Sequence, residues 1–360
     1  MKFSIFAVVM VCFNYSQAQT IVSIKGNQFC INGKPTYEGR SWNGNKIEGL
    51  LMNSRMVQGI FDDLNPKTRD TFAYLDTNKW DAERNNKEFV AAMPVWKSYG
   101  LNSFSLNMQG GSPFGYGNFD FLNPGFKSDG GLDRNYMKRL DRILKRADEL
   151  GMVVILGLFY FGQDQNLKDE AAIINATRNM VDWLFKKEYK NVIIEINNET
   201  SGKINEYNHQ ILLHQRVHEL INLVKNTQKK GYRYLVGTSF PARIIPTKNV
   251  VDASDYVMFH GNAKRKIEDF RELIAKVKAV VSDRVMPIVI NEDDNFDFDN
   301  PSSHFNTALE NYISWGFFDY RKKGVSDLKE GFQTIPIDWE INSDNKKVFF
   351  NKLKKVTTGN

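Results

Sequence analysis

Two apolar runs in this 360-residue chain end in glutamate, and a pair of carboxyl groups is the feature most able to do chemistry. The first run is Asn191-Val192-Ile193-Ile194-Glu195-Ile196-Asn197-Asn198-Glu199, and the second is Pro287-Ile288-Val289-Ile290-Asn291-Glu292. Side chains alternate faces along a strand, so Glu195, Asn197 and Glu199 share one face and Glu199 stands at its exit. Two carboxyls roughly 5–5.5 Å apart can cleave a glycosidic bond with retention, one protonating the leaving oxygen while the other attacks the anomeric carbon. Glu195 lies about two pleats deeper and reads as a structural acid.

Strands must carry these groups, and the chain offers a regular series. Apolar runs occur at Thr36–Trp42, Leu101–Asn107, Met152–Phe159, Asn191–Asn197, Tyr234–Ser239, Asp255–His260, Pro287–Asn291 and Ile313–Asp319. Amphipathic segments such as Leu132–Leu150, Glu170–Lys187, His209–Lys229 and Ile267–Val281 lie between them. Eight strand–helix alternations predict an α/β fold, a (β/α)8 TIM barrel, whose active sites sit at the C-terminal ends of the strands. An open doubly wound sheet would want a glycine-rich phosphate turn after an early strand, and none occurs. The Gly26-Asn27 turn between Ile21–Lys25 and Gln28–Ile31 predicts a short N-terminal β-hairpin. The organisation expected is a signal peptide over 1–18 and one catalytic barrel over 19–360, with an insertion at about 43–80.

Lys2, the apolar stretch Phe3–Phe13 and the small residues of Ser16-Gln17-Ala18 have the layout of a cleavable leader, which predicts a secreted or periplasmic protein. No later segment has the apolar length of a membrane helix. Only Cys30 would remain after cleavage, so neither an internal disulfide nor a Cys/His zinc pattern is available. The net charge of +6 fits a solvated basic surface, and it leaves an anionic glycan substrate open. No basic stripe interleaved with aromatics suggests nucleic acid. The sequence offers nothing on oligomeric state.

Asn198-Glu199 after the fourth strand and Glu292 ending the seventh resemble clan A of the glycoside hydrolases, especially the family-5-like cellulases and mannanases. Phe29 to Pro35, Trp96 to Asn102, Leu132 to Ile155, His260 and Trp315 are similar as well. The resemblance implies a retaining glycosidase acting on a β-linked carbohydrate, with Glu199 as acid/base, Glu292 as nucleophile and Asn198 on the sugar 2-hydroxyl. It implies no cofactor and no metal. The clan usually carries an arginine on the second strand, where this chain has Ser105; Arg40, near the end of the expected first strand, is the candidate substitute. Thr200 stands where proline is common, and Gly261-Asn262 follows His260 where the clan has tyrosine.

Several further residues are candidates for substrate contact. His260 is placed to hydrogen-bond near the carboxylates and tune them. Trp42 and Trp315 are aromatic faces for stacking on sugar rings, with buried core as the competing reading. Asn107 closes the second run. The alternating acids of Asp293 to Asn300 resemble a calcium loop, but Phe298 and His304 occupy the places that require glycine and glutamate. His214 and His218 have helical metal spacing, without the glutamate or third ligand of a zinc motif. A carbohydrate-binding barrel that has lost catalysis is the alternative function.

Overall fold

In the computed structural model, which describes residues 19–111, 113–114, 120–200 and 207–358, the Val/Ile-rich runs form parallel strands arranged in a ring. The expected leader lies outside the described residues. Numbered in chain order among the described residues, the barrel strands are Asn53–Arg55, Ser103–Asn107, Val153–Phe159, Val192–Asn197, a fifth split into Leu235–Gly237 and Ser239–Phe240, Val257–His260, Ile288–Glu292 and Gly316–Phe317. Strands 8, 1, 2, 3, 4 and the first half of 5 form one parallel ladder. The second half of strand 5 continues to strands 6 and 7. Strand 7 reaches strand 8 through Ile290 N–H to Ser314 O (2.8 Å) and Asp293 N–H to Gly316 O (3.0 Å), closing the ring.

Alternation along each strand divides the apolar residues between two cores. Val153, Ile155, Ile193, Met258 and Val289 face inward and pack with Val22, Phe29 and Leu51. Val22 and Phe29 come from the hairpin Val22–Lys25/Gln28–Ile31, which therefore seals the floor of the barrel at the N-terminal ends of the strands. Phe104, Leu106, Val154, Leu156, Ile194, Ile196 and Ile290 face outward into the larger core shared with the helices.

The helices start where the sequence supplies caps. Asp81 precedes α1 (Ala82–Ser98), Asp133 precedes α2 (Arg134–Glu149) and Asp169 precedes α3 (Glu170–Lys187); each carboxylate accepts first-turn N–H groups left open by the helix. Then follow α4 (His218–Asn226), α5 (Lys248–Ala253), α6 (Ile267–Val280), α7 (His304–Glu310) and α8 (Asp344–Thr358). The expected helix from His209 is thus realised only over its second half.

One strand assignment needs correction. Thr36–Trp42 is not a barrel strand: Tyr37, Gly39, Asn43 and Gly44 all have positive φ, and Ser41–Trp42 pairs antiparallel with Asn45–Lys46. Tyr37 Oη donates to Gly100 O (2.8 Å) and Tyr312 Oη to Glu48 O (2.6 Å). Gly100 and Tyr312 just precede strands 2 and 8, so residues 36–49 cover the N-terminal face. The first barrel strand lies instead at Asn53–Arg55, within the stretch expected to be an insertion.

Candidate active site

Glu199 projects from the C-terminal end of strand 4 by a departure from strand geometry. Its φ is +55°, a left-handed backbone that costs an L-residue roughly 1 kcal/mol or more. Bonds to both neighbouring strands hold it: Asn198 N–H to Phe159 O (3.1 Å), Glu199 N–H to Ser239 Oγ (3.0 Å) and Thr200 N–H to Ser239 O (2.9 Å).

Glu292 reaches the same space by a different device. Phe259 pairs with Ile290, but His260 pairs with Glu292, so Asn291 is an extra residue in strand 7. Val289 faces inward, and strict alternation would turn Glu292 outward with Ile290; the bulge resets the count and brings Glu292 onto the inner face beside His260.

The two carboxylates and His260 present ligand atoms that lie within 4.8 Å of one another. His260 Nδ1 sits 3.0 Å from Glu199 Oε1 and 3.3 Å from Glu292 Oε2, so the proton on that nitrogen points at both acids. Arg55, at the end of strand 1, places Nε 2.7 Å from Glu292 Oε1, and Asn262 Nδ2 donates to Glu292 Oε2 at 2.9 Å. Arg55 crosses strand 8 to do so. A side chain at Gly316 would collide with Asn53 Oδ1 and the backbone at Ile290–Asn291, so glycine there lets strands 1 and 7 meet.

These groups are deeply buried, Glu292 being 3 % exposed and Glu199 8 %. Burial raises the Glu292 carboxyl above its ordinary range, opposed by the Arg55 and His260 charges and the Asn262 amide. Burial also works against a protonated His260, yet the Glu292 charge and the hydrogen bond that His260 donates to Glu199 outweigh it, and its pKa is raised. Glu195, one layer below, is raised by burial despite Arg55. Its place at the barrel centre fits the structural acid that its depth in strand 4 indicates.

The Glu199–His260–Glu292 cluster has enough ligand atoms to draw a cation. However, the Arg55 guanidinium already lies against one Glu292 oxygen and the Asn262 amide against the other. A fixed positive charge at 2.7 Å makes this a hydrogen-bonded acid pair rather than a metal cradle.

The other expected site residues divide. Asn198 stands beside Glu199, 2 % exposed, with its backbone carbonyl held by Tyr207 Oη (2.5 Å) and its Oδ1 without a hydrogen-bond partner among the described residues. Asn107 does point inward, but it lies over Gly157 next to Glu195, in the layer beneath Glu199 and Glu292. Arg40 and Trp42 belong to the N-terminal face, where Trp42 packs under Lys352 of α8, and neither reaches the site. Trp315 is 0 % exposed and faces outward, packed on Phe298, Phe305 and Phe349 with its indole N–H on Asp293 Oδ2 (3.0 Å). It is core. Gly316 faces inward, and Phe318, one residue past the end of this strand, is buried yet outside both hydrophobic cores. Phe318 packs on Tyr320, with ring centroids 5.7 Å apart.

The acidic stretch after Glu292 is also accounted for. Asp293 accepts from His304 Nδ1 (2.9 Å) and Trp315, Asp294 pairs with Arg265 (3.0 Å), and Asp299 is exposed near Lys352. Its carboxylates diverge rather than converge on a calcium position. His218 Nδ1 is bonded to Asn249 Nδ2 (3.1 Å).

Sequence reasoning missed Arg55, Asn262 and Ser239. A signal for Arg55 existed: Leu50-Leu51-Met52-Asn53-Ser54-Arg55 is an apolar run turning polar at its end, as in strands 4 and 7.

Above the carboxylates opens a cavity of about 430 Å³ lined by Glu199, Arg243, Asn262, Arg265, Asp294 and Tyr320 among others. Glu199 forms part of its wall and Glu292 does not.

The family model described as Cellulase (glycosyl hydrolase family 5) matches residues 65–319. Among solved structures, the endo-1,4-beta-mannanase from Rhizomucor miehei is similar over 94 % of this chain and 100 % of its own, at 10 % identity and a TM-score of 0.58. The glycoside hydrolase family 5 mannosidase from the same organism covers 95 % of this chain and 99 % of its own, at 14 % identity and a TM-score of 0.53. A glycoside hydrolase family 5 enzyme from Prevotella bryantii B14 covers 85 % and 95 %, at 10 % identity and 0.52. No curated protein matches by sequence.

Proposed function

Since the chain belongs to glycosyl hydrolase family 5, the cellulase family, and is a retaining O-glycosyl hydrolase, we propose that it cleaves β-glycosidic bonds of a poly- or oligosaccharide by double displacement. The observation that carries this reading is the spacing of Glu199 and Glu292, whose oxygens lie within 4.8 Å at the ends of strands 4 and 7. That separation leaves no room for a water between acid and sugar, so the second carboxylate itself attacks. Arg55 fixes a positive charge on the Glu292 side, which makes Glu292 the carboxyl better suited to stay ionised and act as nucleophile.

Glu199 then donates its proton to the leaving oxygen as Glu292 forms the glycosyl-enzyme. In the second half, Glu199 accepts a proton from water, which attacks the same carbon and releases the sugar with its configuration restored. His260 Nδ1 bridges both acids through each step, and Asn198, buried beside Glu199, takes the sugar 2-hydroxyl as the family resemblance implies. Secretion follows from the leader layout of residues 1–18. Among the described residues no helix is long and apolar enough to cross a membrane.

The deciding experiment is NMR of the product anomers in the first minutes of hydrolysis, with β-1,4-mannan and β-glucan oligosaccharides as first substrates. The β-anomer should appear before mutarotation. Initial release of the α-anomer would overturn the two-step mechanism, and glycan binding without turnover would favour the non-catalytic binding barrel.

Arg55→Met offers a second check. Arg55 lowers the Glu292 pKa against burial, so its loss raises that pKa further. The nucleophile must be ionised, and the acidic limb of kcat/KM should therefore move to higher pH, with the plateau reduced on the order of 10²-fold. An unmoved acidic limb would remove Arg55 from this role.

A further inference from the structure

The cavity that Glu199 shares with the loops after strands 5 to 8 has a charge arrangement that bears on which sugar leaves. In double displacement the acid stands beside the departing oxygen and the nucleophile on the opposite side of the anomeric carbon. A cavity walled by Glu199 and not by Glu292 is therefore the seat of the leaving sugar. Two carboxylates and two guanidinium groups line it. Glu199 is engaged by His260 at 3.0 Å, and Asp294 by Arg265 at 3.0 Å. Arg243 is exposed and has no carboxylate partner among the described residues. Among the described residues, one positive charge in the wall is left over.

Past Tyr320 the space continues into a second cavity of about 610 Å³, sharing Arg265, Asp294 and Tyr320 with the first. Its wall carries Asp319, Asp327 and Glu330 against Lys322, an excess of negative charge. Cation and anions thus lie in adjoining compartments, and a negative ligand group is favoured only in the first.

We infer that the leaving-group position, with Arg243 as its recognition residue, takes a sugar bearing an oxyanion, as a uronate or a sulfate ester does. A guanidinium matches either group with parallel N–H donors, and a carboxylate or sulfate on the departing sugar supplies the partner Arg243 lacks. The inference rests on the hydrolase reading above, because only the acid/base role of Glu199 makes this the leaving side. Arg243 takes no part in the chemical steps.

The test compares three β-1,4-linked oligosaccharides that differ only in the reducing unit: a uronate, its carboxyl-reduced neutral twin, and that twin sulfated at O6. Wild type is expected to show kcat/KM about tenfold higher on an anionic substrate than on the neutral twin, shrinking as salt is raised. The uronate and sulfate arms tell which oxyanion is taken. Arg243→Gln should bring the ratio near one. A preference for the neutral twin, or an anionic preference that survives Arg243→Gln, overturns the inference while the hydrolase reading stands. Titration calorimetry on the same three ligands separates the two claims. Tighter anion binding that is lost in Arg243→Gln, with no turnover of any substrate, upholds the site and overturns the hydrolase. Equal or absent binding by all three overturns the site.

Discussion

Glu292→Gly should lower kcat by about 10⁴-fold or more, and millimolar-to-molar azide or formate should restore part of it. The substitution removes the attacking carboxylate and leaves its surroundings in place. Arg55 Nε and Asn262 Nδ2, which now hold the two Glu292 oxygens, would face an empty space shaped for a small anion. Azide seated there attacks the anomeric carbon from the nucleophile's side while Glu199 still protonates the leaving group. The product is an α-glycosyl azide, inverted relative to a β-substrate, and NMR identifies it directly. Retention of full activity by Glu292→Gly would remove Glu292 as nucleophile.

Glu199→Ala should behave differently, and the contrast is what assigns the roles. Cleavage of an ordinary glycoside needs protonation of a poor leaving group, so kcat/KM on oligosaccharides should fall about 10²–10⁴-fold. An aryl glycoside with a dinitrophenolate leaving group needs no acid, and its first step should be nearly unaffected. The second step still lacks a base, so a burst of phenolate followed by slow turnover is expected. Azide should accelerate that turnover and yield the β-glycosyl azide. The measurements are pre-steady-state phenolate absorbance and NMR of the azide product. If oligosaccharide and activated aryl glycoside lost activity equally, Glu199 would not be the acid.

Much of this site could be read from the chain before folding was considered. Strands 4 and 7 announce themselves as apolar runs ending in acid, and Asn198, Glu199, His260 and Glu292 meet at one end of the barrel as expected. What the sequence concealed depends on backbone irregularity. Strict alternation would send Glu292 to the outer face, and only the extra residue Asn291 brings it inward. Trp315 looked like a sugar platform because of its residue type, but Gly316 occupies the inward position and Trp315 turns to the aromatic core.

The arginine was misplaced for a related reason. Thr36–Trp42 has a strand's composition but turns at Tyr37 and Gly39 and again just past its end at Asn43, whereas the real first strand is three residues long. A strand that short gives almost no periodic signal. It forms because its neighbours, strands 2 and 8, hold it on both sides. Tertiary pairing, rather than local propensity, decides such an element.

The seam where strands 8 and 1 join has a consequence for how the enzyme comes to exist. Asn53 and Ser54 pair with Gly316 and Phe317, residues from opposite ends of the described chain. Such distant pairings form slowly, since a long loop must close before any contact rewards it. Arg55 reaches Glu292 only across that seam, and His260 joins them from strand 6. A refolding molecule could therefore regain most of its helical signal while Glu292 still lacked its cation. Recovered activity reports the closing of the ring itself, and in refolding it should trail the return of secondary structure.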